Sequence, residues 1–130
     1  MHSEKYRIVQ DPVHGYRRLD PIPDENEISR FYQSQYYDLI RKGGRAPELR
    51  RLMAGGDEAA GERAWLRAAL FSDIGYVLHQ HAPGKRVLDV GCGTGELLAY
   101  LRENEFDTVG IEPSPEAVSI GKSSGLTIYA

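Results

Sequence analysis

The chain has 130 residues, of which 41% are hydrophobic and 27% charged, an ordinary globular composition that suffices for one modest core. Its formal net charge of −3 excludes a global positive field that would hold nucleic acid or an anionic membrane. The single cysteine, Cys92, excludes an internal disulfide framework, and no apolar run approaches the ~20 residues that cross a bilayer, so we expect a cytoplasmic protein with no membrane partner.

The N-terminal segment predicts a small arm followed by a helix. Residues 1–23 are polar, and the proline and glycine around residues 11–16 suit a turn between two extended pieces. Asp24 lies three residues before Glu27, the spacing of a capping box. This pattern predicts a helix over about 24–42.

Two further helices are predicted between glycine pairs. Gly43-Gly44 ends the first helix and Gly55-Gly56 ends a short second one. A longer third helix, ending before Pro83, carries apolar residues at spacings of three and four: Trp65, Leu66, Ala69, Leu70, Ile74, Val77 and Leu78. We therefore assign residues 1–82 to an N-terminal arm and an α-helical region. From its place in the chain alone, we expect this region to be a lid or substrate element.

Residues 83–130 predict a different architecture, in which strands and helices alternate. The predicted strands are 86–90, 108–111 and 126–129, with a helix after each of the first two. Ser114 followed by Pro115 is typical of a helix start. Alternating strands and helices predict a parallel sheet with crossover helices, hence an α/β fold.

A glycine-rich loop follows the first of these strands, where parallel sheets bind ligands. The loop glycines are Gly91, Gly93 and Gly95. They depart from the dinucleotide-binding fingerprint G-x-G-x-x-G, because Glu96 occupies the position of the last glycine of that fingerprint. Asp89 and Glu96 would repel a pyrophosphate at the helix N-terminus. S-adenosylmethionine has no phosphate and carries two cationic groups, so acidic residues suit it better.

A carboxylate at the end of the second strand points to a nucleoside. Glu112 can accept hydrogen bonds from both ribose hydroxyls. Proteins that bind NAD use a carboxylate in the same way. This residue therefore favours nucleoside binding without choosing between the two cofactors.

The runs VLDVGCGTG at 87–95 and VGIE at 109–112 resemble the first two motifs of class I S-adenosylmethionine-dependent methyltransferases. The resemblance implies a Rossmann-like sheet in residues 83–130 and S-adenosylmethionine as cofactor. It also implies that the loop backbone lies against the methionine part, that Asp89 orients the loop and that Glu112 holds the ribose. The residues predicted to bind the cofactor are Asp89, Gly91, Cys92, Gly93, Thr94, Gly95, Glu112, Pro113 and Tyr37.

Tyr37 enters that set through a looser resemblance. The run FYQSQYYD at 31–38 is similar to the aromatic helix that precedes the core in many such enzymes, where a tyrosine can close over the cofactor. Aromatic residues at helical spacing are also ordinary core residues. Both interpretations of Tyr37 stay open at this stage.

The resemblance also implies that the core is incomplete. A complete core of this family continues with further strands after the third, so we expect a fragment or one part of a larger assembly, inactive by itself. An exposed sheet edge would favour self-association. The motifs identify neither the methyl acceptor, small molecule or macromolecule, nor a general base.

Two alternative functions remain open. One is a non-catalytic cofactor-binding or interaction module, and the other is a fragment of an NAD(P)-binding Rossmann protein. We interpret Cys92 as a small loop residue rather than a nucleophile, and His79 and His81 as residues of a helix end rather than metal ligands. His14 is a structural or a lid residue. A basic cluster is either a solvated surface or a dock for an acidic substrate, and comprises Arg41, Lys42, Arg45, Arg50 and Arg51.

Overall fold

The computed structural model describes residues 5–44 and 46–130, so Arg45 of the basic cluster lies outside the described residues. The described chain opens with an antiparallel hairpin of β1 (Arg7–Gln10) and β2 (Arg17–Asp20). Asp11 shapes the turn, because its Oδ1 accepts the backbone N–H of Val13 at 3.1 Å and of His14 at 2.9 Å. The predicted hairpin is confirmed.

The first helical segment comprises α1 (Glu25–Arg30), a π-helical turn (Phe31–Gln35) and α2 (Tyr36–Arg41). Its start is the predicted capping box. The Asp24 carboxylate accepts the N–H of Glu27 at 2.9 Å, and the Glu27 carboxylate accepts the N–H of Asp24 at 3.4 Å. The helix predicted over about 24–42 is confirmed, whereas its π-helical turn was not predicted.

The next helices are α3 (Pro47–Ala54), α4 (Gly56–Leu66), a π-helical turn (Arg67–Phe71) and α5 (Ser72–His81). The apolar stripe does not form one buried face, since the structure exposes four of its members, Trp65, Ala69, Leu70 and Val77. A π-helical turn adds a residue per turn and rotates the face, so that Phe71 is buried instead. Within the described residues, no helix has the length and apolar character of a membrane span.

The C-terminal part alternates strands and helices as predicted, in the order β3 (Arg86–Val90), α6 (Glu96–Glu103), β4 (Asp107–Ile111), α7 (Pro115–Ser123) and β5 (Ile128–Tyr129). All strand pairs in this sheet are parallel, and the strand order is β3-β4-β5. The fold is therefore α/β. β5 is shorter than the predicted 126–129, because the N–H of Leu126 donates to the carbonyl of Gly121 at 3.1 Å, at the end of α7, and not to β4.

The two faces of this sheet differ. Helices α6 and α7 cover one face, where Leu98, Val118, Leu126 and Ile128 form a buried cluster. On the other face, Leu88 and Val90 stay exposed. Within the described residues β3 and β5 are also the edges of the sheet. One apolar face and two strand edges are therefore left uncovered.

The N-terminal helices pack against α6 and α7. Tyr37 and Ile40 of α2 form a buried cluster with Ala117 of α7. The Phe71 ring lies 5.8 Å from the ring of Tyr100 in α6, measured between centroids. Three ion pairs join the same two regions: Arg41 with Glu116, Arg63 with Glu96, and Arg67 with Glu103.

Candidate functional site

The glycine-rich loop joins the end of β3 to the start of α6. The backbone N–H groups of Gly91 and Cys92 donate to the carbonyl oxygen of Ile111, at 2.8 and 3.2 Å. The N–H of Gly95 closes the loop by donating to the Cys92 carbonyl at 3.0 Å. These bonds fix the loop against the end of β4, where ligands bind in open parallel sheets.

The loop presents open backbone to its surroundings. Gly91 (φ +80°) and Gly93 (φ +58°) adopt left-handed conformations, and a Cβ added at either would meet no atom within 4 Å. At Gly95 a Cβ would lie 2.4 Å from Cδ1 of Leu126. The first two glycines therefore leave space for a ligand beside the backbone, whereas the third allows close packing.

Glu112 holds the loop in this shape. Its side chain is 5% exposed, its Oε2 accepts the N–H of Gly93 at 2.9 Å, and its Oε1 accepts the N–H of Ser114 at 2.9 Å. Each carboxylate oxygen can accept more than one hydrogen bond, so both can also receive ribose hydroxyls. The resemblance gave the orienting role to Asp89, but the contacts give it to Glu112.

Asp89 and Cys92 lie half-buried beside the loop. Among the described residues, none donates a hydrogen bond to the Asp89 carboxylate, and burial raises its pKa. Burial, followed by the charges of Asp89 and Glu112, raises the pKa of the Cys92 thiol to about 11. A thiol that stays protonated at neutral pH is a poor nucleophile, which supports the interpretation of Cys92 as a small loop residue.

A cavity of about 510 Å³ lies between the loop and the N-terminal helices. Its size is within the usual range for small-molecule sites. Asp89 and Gly95 do not line it, whereas the other predicted binding residues do. The full lining is Tyr32, Tyr36, Tyr37, Leu49, Leu52, Leu66, Phe71, Val90, Gly91, Cys92, Gly93, Thr94, Glu96, Leu97, Ile111, Glu112 and Pro113.

Tyr37 belongs both to the buried core and to the cavity wall. It is 4% exposed and packs with Ile40 and Ala117, yet it also lines the cavity. Burial raises the pKa of its hydroxyl, and the nearby Glu112 carboxylate raises it further. The sequence analysis missed the leucines of α3 and α4 in the same wall, because an apolar residue of an amphipathic helix carries no signal that separates a cavity from a core.

The charge argument against a pyrophosphate is weaker than the sequence suggested. Nε of Arg63 lies 3.1 and 3.2 Å from the two carboxylate oxygens of Glu96, so that carboxylate is paired. The sequence gave no indication of this pair, because 33 positions separate the two residues. The charge of the Asp89 carboxylate still disfavours a pyrophosphate.

The other polar candidates lie away from the cavity. The His14 ring stacks on Tyr16 at 6.0 Å between centroids, and the His79 ring lies 4.8 Å from that of Phe106. Neither histidine lines the cavity. In residues 5–44 and 46–130, no group of three His, Cys, Asp or Glu side chains is arranged to hold a metal ion. In the basic cluster, Arg41 pairs with Glu116 and Arg51 with Glu62.

A parallel sheet with a glycine loop after its first strand and a buried carboxylate after its second defines a Rossmann-like protein. A family model described as "Methyltransferase domain" matches residues 63–126. Residues 63–126, just under half of the chain, are therefore similar to a methyltransferase domain. The match spans the loop, Glu112 and the two crossover helices.

Two similar proteins carry methyltransferase names. The chain is 41% identical over 54 residues to a ubiquinone biosynthesis O-methyltransferase of Paraburkholderia phymatum, covering 38% of this chain and 23% of that protein. The solved structure of magnesium protoporphyrin IX methyltransferase from Synechocystis PCC 6803 with bound SAM superposes with a TM-score of 0.53 at 17% identity, covering 83% of this chain and 54% of that one. The second likeness shows the fold. The chain spans about a quarter of the first protein and half of the second.

Proposed function

We propose that this chain supplies the cofactor side of an S-adenosylmethionine-dependent methyltransferase. The observation that carries the proposal is the pair formed by the open backbone at Gly93 and the buried Glu112 that holds it. S-adenosylmethionine, when bound, supplies an electrophilic methyl group on a sulfonium. The protein's task is then to position the donor and acceptor and to exclude water.

The residues of the cavity divide this task. Backbone at Gly91 and Gly93 lies against the methionine part, and Glu112 accepts hydrogen bonds from the ribose while it keeps the loop in shape. Asp89 lies outside the cavity lining, in β3 just before the loop, and its carboxylate adds negative charge on the side of the two cationic groups of the cofactor. Tyr37 closes the cavity on the side of the N-terminal helices, which limits the access of water.

The surrounding parts of the chain have supporting roles in this proposal. Residues 1–82 form a lid over the cofactor, an idea supported by the cavity wall that α2, α3 and α4 contribute. The protein acts in the cytoplasm, which its single cysteine favours. Leu88, an exposed apolar residue on the edge strand β3, favours association at that edge of the sheet.

Calorimetric titration of the 130-residue chain with S-adenosylmethionine, S-adenosylhomocysteine and NAD tests the proposal. We expect saturable binding of the two adenosyl compounds and no binding of NAD. The Glu112→Gln variant keeps the size of the side chain but replaces an acceptor oxygen by a donor, so one loop contact and one ribose contact are lost. We expect its affinity for S-adenosylhomocysteine to fall at least about tenfold, a cost of about 1.4 kcal/mol.

Glu48→Gln is the matched control, because Glu48 is exposed on α3 and does not line the cavity. Its affinity for S-adenosylhomocysteine should equal that of the parent chain. Circular dichroism checks that both variants are folded. Preferential binding of NAD would instead support an NAD(P)-binding Rossmann protein, and binding of none of the three compounds would favour an interaction module.

A further inference from the structure

The two walls of the cavity have different chemistry. The loop wall consists mainly of backbone and carries two carboxylates, Glu96 and Glu112. The helix wall carries aromatic rings and aliphatic side chains, among them Leu49, Leu52 and Leu66. If the loop wall holds the cofactor, the helix wall remains for the methyl acceptor.

The aromatic rings of the helix wall are neighbours that differ in orientation, with interplanar angles of 52° between Tyr32 and Tyr36 and 87° between Tyr36 and Tyr37. Tyr32 and Tyr36 lie 5.3 Å apart between ring centroids, and Tyr36 and Tyr37 are also 5.3 Å apart. Tyr32 belongs to the π-helical turn and Tyr36 follows directly after it. Such a surface offers a planar ligand stacked or edge-to-face contacts over more than one ring.

The charge of the cavity is one-sided. Within the part of the chain that the structure describes, no Lys, Arg or His side chain lines it, whereas Glu96 and Glu112 do. Arg63 is paired with Glu96, which leaves Glu112 as the lining carboxylate without a cationic side-chain partner among the described residues, and Arg51 is paired with Glu62. A phosphate or carboxylate on the acceptor would therefore be desolvated without a counter-ion and repelled by the Glu112 carboxylate.

We propose that the methyl acceptor is an uncharged planar aromatic small molecule that stacks on Tyr32, meets the tilted ring of Tyr36 edge-on and packs against Leu52. The proposal rests on the proposed function, because it assigns the acceptor to the wall that the cofactor leaves free. It excludes phosphorylated and carboxylated acceptors, and with them nucleic acids.

A matched set of naphthalene probes tests the acceptor class. 2-Naphthol is neutral at pH 7, whereas 2-naphthoate and 2-naphthyl phosphate carry the same ring with an anionic group. Their fluorescence is followed as the 130-residue chain is titrated, with and without S-adenosylhomocysteine. We expect 2-naphthol to bind at least about tenfold more tightly than either anion, because only the anions lose their hydration without gaining a counter-ion and meet the charge of Glu112.

Two variants examine the wall itself. Tyr32→Ala removes one stacking ring and should weaken the binding of 2-naphthol at least about fivefold. Leu52→Arg supplies the missing counter-ion and should raise the affinity for 2-naphthyl phosphate at least about tenfold. Tyr76→Ala and Leu39→Arg are the controls, since both residues are exposed and neither lines the cavity, so their affinities should equal those of the parent chain.

The outcomes separate this inference from the proposed function. Equal binding of the three probes, or tighter binding of an anion, overturns the inference, as does a folded Leu52→Arg variant with no gain for the phosphate. If the Arg45→Ala variant still prefers 2-naphthol, the inference is supported, because the preference then does not depend on the Arg45 cation. Intact binding of S-adenosylhomocysteine beside a failed probe series leaves the proposed function standing. Absence of that binding with an intact probe preference overturns the proposed function and, with it, the assignment of the aromatic ligand as a methyl acceptor.

Discussion

Gly93 and Gly95 stand two residues apart in one loop, yet their surroundings are opposite. A Cβ at Gly93 would meet no atom within 4 Å, whereas a Cβ at Gly95 would lie 2.4 Å from Cδ1 of Leu126 and 3.2 Å from Cδ1 of Ile128. The open side of the loop is shaped for a ligand and its other side for the core. One sequence motif thus serves both ligand binding and core packing. Substitutions at Gly93 and Gly95 should therefore affect binding and stability separately.

The largest effect on stability is expected for Gly95→Ala. The added methyl group overlaps Leu126 in the core and also forces a side chain into φ +87°, so we expect the free energy of unfolding to fall by about 3 kcal/mol. Urea denaturation measures this change. Gly61→Ala is the control, because its Cβ would meet no atom within 4 Å inside α4, and it should gain up to about 1 kcal/mol. A loss below about 1 kcal/mol for Gly95→Ala would show that the core yields to the methyl group.

A smaller loss of stability and a larger loss of binding are expected for Gly93→Ala. The φ of +58° costs about 1 kcal/mol with a side chain, and no neighbour adds to it. The methyl group would occupy space that we assign to the cofactor, so the affinity for S-adenosylhomocysteine should fall at least about tenfold. Urea denaturation and calorimetry measure the two quantities. An unchanged affinity for S-adenosylhomocysteine would contradict the assignment of the open side of the loop to the cofactor.

The smallest effect is expected for Asp89→Asn, and its sign depends on pH. Burial raises the pKa of Asp89 in the folded state, so ionisation costs stability at pH 7 and the cost disappears as the pH falls through that pKa. We expect the variant to be more stable than the parent at pH 7, by less than about 1 kcal/mol because water screens a half-exposed group, and equally stable near pH 3. Exposed Asp107→Asn is the control. Thermal unfolding at both pH values measures the difference, and a less stable variant at pH 7 would contradict the argument.

Local chemistry made much of the fold predictable. The capping box of Asp24 and Glu27, the serine cap at Ser114 and the apolar run of β3 each act over a few residues, and each appears where the sequence placed it. The glycine spacing likewise predicted the loop and its position after β3. These features need no knowledge of how distant segments meet.

The rest depends on distant contacts and on turns that shift the helical period. The N–H of Gly93 donates to the carboxylate of Glu112, which is 19 positions away in the chain, and no local sequence pattern indicates this hydrogen bond. The π-helical turn at Arg67–Phe71 interrupts the regular spacing, so the stripe through Trp65 and Val77 did not become a buried face. Leu49 and Leu52 form part of the cavity wall only after α3 has packed in the folded chain, so the sequence pattern alone does not identify them.

The ion pairs between the N-terminal helices and the sheet region have a consequence for solution conditions. Arg41 with Glu116 and Arg67 with Glu103 are exposed pairs, and dissolved ions screen such charges over about 10 Å at 0.1 M ionic strength. Because the cavity lies between the two regions, added salt should loosen one wall against the other. Even a ligand without charge should then bind more weakly in concentrated salt than in dilute buffer.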